Sequence, residues 1–153
     1  MTIELWWIGK TNDKHLRPGI SDYQKRIQRF NRFEIREFAP AKGKRPEDQK
    51  IVDEQNIIKN LDDRDHLVLL DESGALMDSI KFSEYLDQLF FQPAKRIVFL
   101  IGGAYGFGDL LYRRANASVS LSPLTFTHDM VRLIFLEQLY RAFTIKNNLP
   151  YHH

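Results

Sequence analysis

The chain has no cysteine. That absence excludes disulfide bonds, a thiolate nucleophile and any zinc site built on cysteine, and no metal site is expected. Long apolar runs are also missing. None reaches the roughly 18 residues that a membrane span needs. The opening MTIELWWIGK has no basic segment ahead of an apolar stretch, so it does not read as a secretory signal. A cytoplasmic protein is the resulting expectation. No internal repeat, low-complexity tract or linker interrupts the 153 residues, so a single domain over 1–153 is expected, long enough for a real core.

The residues present are those of an ordinary globular protein: 43% hydrophobic and 27% charged, with a net charge of +2. The charge is unevenly placed. Residues 1–45 carry eleven Lys and Arg against five Asp and Glu, residues 46–100 six against twelve, and residues 101–153 five against three. The basic excess gathers on Lys10, Lys14, Arg17, Lys25, Arg26, Arg29, Arg32, Lys42, Lys44 and Arg45. Such a bias can attract phosphates; on charge alone, a solvated helix face plus a basic loop is the simpler account.

Hydrophobic spacing gives the order of elements. Thr2–Gly9 reads as a strand, rich in β-branched and aromatic residues and closed by glycine. Leu16, Ile20, Tyr23, Ile27 and Phe30 recur in steps of four and three, one face of a helix, whose start lies near Pro18. Phe33–Phe38 alternates apolar and polar as a second strand. Pro40–Pro46 is a breaker-rich basic loop. Proline and two acidic residues open a helix from Pro46 to Leu61. His66–Leu70 and Ile97–Ile101 are continuous apolar runs, the pattern of strands buried on both faces. Asp71–Gly74 reads as a turn, and Phe82–Phe91 as a helix that ends before Pro93. A short helix, a further strand and a long helix from about His128 to Lys146 complete the alternation. The expected fold class is α/β, a mainly parallel sheet with helices on both faces.

In such a sheet, ligands bind beyond the carboxyl ends of the strands. Three segments follow strands: Asp71–Gly74, Gly102–Gly108 and Ser122–Thr127. All three could converge on one site. The glycines at 103, 106 and 108 are spaced three then two. That is not the dinucleotide fingerprint, and no Lys-Ser/Thr follows to make a phosphate loop. The segment is either a tight turn or a backbone that approaches a ligand closely. Leu121–Phe126 suits an apolar ligand edge such as a purine; it also serves as a plain connection, with Thr125 or Thr127 capping the next helix. The last helix is apolar nearly all round, through Met130, Val131, Leu133, Ile134, Phe135, Leu136, Leu139, Tyr140 and Phe143, so it belongs in the core or in a subunit interface. Glu137 and Arg141 stand four apart and could pair, whereas Arg132 or Arg141 could instead hold a phosphate. Tyr151, His152 and His153 place titratable groups at the chain end.

The combination IGGAYG, SLSPLT, H-x-x-V-R, EQLYRA and a closing PYH resembles the ribosomal RNA large subunit methyltransferase H family, part of the SPOUT superfamily. The likeness runs over the whole chain, including the basic loop at Lys42–Arg45 and the LLD at 69–71. It implies a deep C-terminal trefoil knot, a homodimer, S-adenosyl-L-methionine as cofactor, and methyl transfer to N3 of a pseudouridine in 23S rRNA of the assembled ribosome. The cofactor positions it implies are Leu70, Gly102, Leu121, Ser122, Pro123, Leu124, Thr125 and Phe126, which fall in the three segments found from spacing. The chain departs from the family pattern in two places. His152 is followed by His153 rather than by Arg or Lys, and Phe126–Thr127 stand where Leu-Pro is common before His128. The N3 proton must leave during transfer, and the candidates to receive it or to stabilise the anion are Tyr151, His152 and Arg141. A dimer would let one subunit's tail complete the other's site. A non-catalytic RNA- or ribosome-binding module is the alternative, distinguished by having no affinity for the cofactor.

Overall fold

The computed structural model of the chain describes residues 1–43 and 45–153. Five strands, β1 (Thr2–Ile8), β2 (Phe33–Phe38), β3 (His66–Leu76), β4 (Arg96–Ile101) and β5 (Ala117–Ser120), alternate with five helices. The helices are α1 (Arg17–Gln28), α2 (Pro46–Asn60), α3 (Ser79–Phe90), α4 (Asp109–Arg114) and α5 (His128–Lys146). All strand pairs are parallel, in the order β2-β1-β4-β3-β5. The continuous apolar runs of β3 and β4 occupy the interior of the sheet, where both faces are covered. The alternating β2 lies at an edge.

Each sheet face has its own core. On one, Ile3, Leu5, Trp7, Val68, Leu70, Ile97, Phe99 and Ile101 pack against Ile20 and Ile27 of α1, Phe82 and Leu86 of α3, and Phe135, Leu136, Leu139 and Phe143 of α5. On the other, Trp6, Phe38, Leu67, Leu69, Val98 and Leu100 meet Ile57 of α2 and Leu111 of α4. Phe99 and Phe135 lie 4.9 Å apart between ring centroids, fixing α5 against the middle of the sheet.

Two elements differ from the sequence expectation. Helix α3 begins at Ser79 rather than Phe82, because Asp78 accepts a hydrogen bond of 2.8 Å from the Lys81 amide and caps it. Asp71–Gly74 is not a simple turn but a bulge inside β3. Leu70 and Ala75 both pair with Val119 of β5, and the residues between them arch away. Gly74 makes this arch possible, since a Cβ there would fall 2.7 Å from main-chain atoms of Ser118 and Val119.

At the opposite end of the sheet a charge lies in a central strand. Glu4 of β1 is 8% exposed. It accepts hydrogen bonds from Trp6 Nε1 at 2.6 Å and from Arg96 Nη1 at 2.9 Å. Arg96 Nη2 also donates to Asp65 Oδ2 at 2.8 Å and to the Asn60 carbonyl at 2.9 Å. Its guanidinium carbon lies 5.0 Å from the centre of the Trp6 ring. One arginine therefore neutralises two buried carboxylates from separate elements.

Tyr85 of α3 shows the reverse situation. Its hydroxyl is buried with no hydrogen-bond partner among the described residues, and burial pushes the phenol up to about 12. Tyr85→Phe removes an orphaned polar group and should stabilise the fold by about 1 kcal/mol in urea denaturation. The raised value also fixes the sign in alkali. An unfolded tyrosine ionises near pH ~10, whereas folded Tyr85 keeps its proton. Wild-type stability therefore falls between pH 10 and about 12, and Tyr85→Phe should flatten that decline.

Candidate active site

The bulge of β3 and the carboxyl ends of β4 and β5 open into a cavity of about 410 Å³. Leu70 comes from β3, Gly102 from the loop after β4, and Leu121, Ser122, Leu124, Thr125 and Phe126 from the loop after β5; all line it. Of the cofactor positions expected from sequence, only Pro123 does not; it is an exposed residue of the same loop. Ile101, Phe107 and Val131 complete the apolar wall, and Asp71 and Glu72 add carboxylates. The volume is in the range of small-molecule sites. Apolar walls, main-chain groups of a glycine turn and acidic oxygens suit a ligand that joins a flat ring to a cationic group.

Local bonds shape the walls. Gly106 donates its amide to the Gly103 carbonyl at 3.1 Å, closing a tight turn, and takes φ +71°, a conformation that favours glycine. Ser122 Oγ accepts from the Leu124 amide at 3.0 Å. Thr127 caps α5, accepting from the Met130 amide at 3.3 Å, which decides between the two threonines considered as caps. On the far side, Asp71 accepts from Tyr112 at 2.5 Å and from Ser73 at 2.9 Å. The bond to Asp71, followed by burial, pushes the Tyr112 phenol up.

A larger groove of about 980 Å³ shares Ile101, Gly102, Gly103, Ala104, Gly106, Phe107 and His128 with this cavity and continues over the ends of β1 and β2. Lys10, Lys42 and Lys50 line it together with Asp13, Glu37, Asp53 and Glu54. Of the basic loop, Lys42 and Arg45 are exposed; Lys44 lies outside the described residues.

Arg132 is excluded as a free phosphate ligand. It is 3% exposed and donates to the Ile8 carbonyl and to Thr11 Oγ1, each at 3.0 Å. It also stacks 4.7 Å from the Trp7 ring centre. Burial pushes its guanidinium down, partly offset by Asp129 and Glu37. Its role is to tie the start of α5 to the end of β1, beside Asp129, which accepts the amides of Asn12 and Asp13.

The three candidate catalytic residues form one cluster. Arg141 Nη2 meets Glu137 Oε1 at 2.5 Å, the expected pair, and Nη1 lies 3.1 Å from His152 Nδ1. Tyr151 donates to Glu137 at 3.0 Å, lies 3.2 Å from the Tyr23 hydroxyl and packs edge-on against Tyr140. Burial, then the bonds to Tyr23 and Glu137, push the Tyr151 phenol well above its ordinary value, so it stays a proton donor at neutral pH. Arginine only donates, so His152 Nδ1 accepts and a neutral ring carries its proton on Nε2.

This cluster does not line the cavity of its own chain. Arg141 stands ten residues past the cavity-lining Val131 on α5, about 15 Å along a helix that rises 1.5 Å per residue.

The family model described as "Predicted SPOUT methyltransferase" matches residues 1–152. The chain belongs to the SPOUT methyltransferase family. Among its SPOUT relatives, a protein of Cytophaga hutchinsonii is 44% identical over 155 residues, covering 100% of both chains. One from Christiangramia forsetii is 45% identical over 156 residues, covering 100% of this chain and 99% of the other. One from Geobacter sulfurreducens is 40% identical over 153 residues, again covering 100% of both. Each is named ribosomal RNA large subunit methyltransferase H. A solved SpoU methyltransferase, AviRb of Streptomyces viridochromogenes in complex with AdoMet, is a distant likeness at TM-score 0.46 and 12% identity. It matches 97% of this chain, which spans 61% of that one.

Within the SPOUT frame, several cavity residues were not among the cofactor positions expected from sequence: Asp71, Glu72, Ile101, Phe107, His128 and Val131. The motif LLD at 69–71 pointed toward the first of these. Glu72 and Phe107 lie in two of the three segments that follow strands, and His128 and Val131 in the motif H-x-x-V-R.

Proposed function

We propose that the chain transfers a methyl group from S-adenosyl-L-methionine to N3 of a pseudouridine in 23S rRNA of the large ribosomal subunit. The proposal includes a homodimer in which the tail of one copy completes the site of the other. Full-length relatives that share one rRNA methyltransferase name support the reading, and so does the single cavity that collects residues from three strand ends. That cavity is the observation that carries it.

Its residues fit the cofactor: apolar side chains for the adenine ring, bare main chain at Gly102 and Gly103 for polar edges, and Asp71 and Glu72 for a cationic group. Bound there, S-adenosylmethionine supplies a methyl carried on a sulfonium and therefore already activated. What remains for the protein is to align the acceptor nitrogen with that methyl and to manage the N3 proton. Arg141 is a fixed cation able to stabilise the anion left at N3. Tyr151 holds its proton and can only donate. His152, with Nδ1 engaged by Arg141, presents Nε2–H as a further donor to that anion, and the N3 proton passes to solvent.

The dimer is supported by the stripe Met130–Ile134–Glu137–Arg141, which runs along one side of α5 from beside the cavity toward the tail. Met130 is 37% exposed, and Leu124 beside the cavity mouth 70%. A second copy packed antiparallel on this stripe would bring its tail over the cavity. The C-terminal trefoil knot belongs to the same reading. Its support is the family match.

The deciding experiment is methyl transfer from labelled S-adenosylmethionine to ribosomes lacking the modification, with the product base identified. Incorporation at N3 of the pseudouridine is expected; no incorporation overturns the enzyme reading. The larger groove and the basic loop are assigned to RNA. Replacing Lys42, Lys44 and Arg45 by alanine should weaken ribosome binding and flatten its salt dependence by about 0.7–0.9 for each phosphate that is no longer neutralised. An unchanged slope would remove the loop from the interface.

A further inference from the structure

The Gly102–Gly108 turn is fastened at its far end by a side chain from another element. Glu54 of α2 is 5% exposed, and its carboxylate accepts a hydrogen bond from the Gly108 amide. Gly108 precedes α4 with φ −104° and ψ −177°, extended backbone open to any residue. A side chain there would instead displace the Glu54 carboxylate. A Cβ at 108 would sit 2.6 to 2.9 Å from the carboxyl atoms of Glu54. The next residue back, Asp53, accepts the amide of Ala41 at 2.8 Å. Consecutive carboxylates on one helix thus hold two different loops, the glycine turn and the base of the basic loop. Charge-assisted bonds of this kind are short and directional.

We infer that Glu54 is a positioning residue for the cofactor turn. Its carboxylate pins the end of the turn, so that main-chain groups of Gly102 and Gly103 face the cavity before the cofactor arrives. Without it, the turn keeps its internal Gly106–Gly103 bond, but its orientation must be fixed on binding, which costs affinity. The inference rests on the methyltransferase reading.

The test is calorimetry of S-adenosylmethionine with the full-length protein and its variants, together with hydrogen exchange at the Gly108 amide. Glu54→Ala should raise Kd about tenfold, and Gly108→Ala, which displaces the carboxylate without removing it, should match it. Glu54→Gln keeps an acceptor oxygen and should fall between. The double variant Glu54→Ala with Gly108→Ala should be no weaker than either single, because both break one tie. Asp53→Ala should leave cofactor Kd within about twofold, since its bond serves the other loop. Exchange at Gly108 should quicken in the Glu54 variants, a change that general loss of stability would spread over the whole chain. Should Glu54→Ala fail to fold, Glu54→Gln and Gly108→Ala decide. Wild-type-like Kd in the variants, or additive losses in the double, overturns the inference while the methyltransferase reading stands. A wild-type protein that does not bind S-adenosylmethionine overturns that reading and the positioning role with it; Gly108 exchange then still reports whether the tie exists.

Discussion

Deleting Tyr151–His153 should abolish methyl transfer, because it removes Tyr151 and His152 and the hydrogen bonds they make to Glu137 and Arg141. Arg141→Ala should lower kcat on the order of 10²–10³-fold, the range for losing one preorganised charge aimed at the developing anion. Its effect on cofactor Kd should be small. Arg141→Lys is not a conservative rescue, since lysine cannot hold Glu137 and His152 in a fixed fork. The arrangement in trans is tested by mixing subunits. A heterodimer pairs a tail-deleted chain with a Gly102→Arg chain, whose new side chain starts against Phe107. It should regain activity, because one intact cavity then meets one intact tail. A dead heterodimer would place cavity and tail within one chain and rule out trans completion.

The second large effect lies at the other end of the sheet. Arg96→Ala should destabilise the fold by about 3–5 kcal/mol in urea denaturation, because it leaves buried charges without their partner. Glu4 and Asp65 would be stranded on separate elements, and Trp6 would lose the cation over its ring. Replacing Glu4 and Asp65 together with Arg96 by apolar residues of similar size should cost much less than Arg96→Ala alone, since the penalty comes from the orphaned charge rather than from the lost pair. Equal losses in the two proteins would show that Arg96 acts through packing instead.

Much of this architecture was legible because it depends on local pattern. Two uninterrupted apolar runs became the buried strands β3 and β4, and the alternating Phe33–Phe38 became an edge strand. The misreadings have a common cause. Asp71–Gly74 has the composition of a turn, and only its pairing partner Val119, far along the chain, makes it a bulge. Arg132 reads as available on a helix surface, but Ile8 and Thr11, brought in from the first strand and the loop after it, engage both its Nη groups in the interior. Glu54 drew no notice in an acidic helix, because its meaning depends on Gly108, 54 positions further along.

The sequence by itself determined the alternating parallel fold, the three strand-end segments and the family likeness, because hydrophobic period and short motifs are properties of neighbouring residues. Tertiary structure alone decided that those segments share one cavity, and that Arg141, Tyr151 and His152 form a cluster about 15 Å from it along α5. Distances between elements are set by how the sheet orders its strands and how α5 packs across it. No periodicity within a segment carries that information.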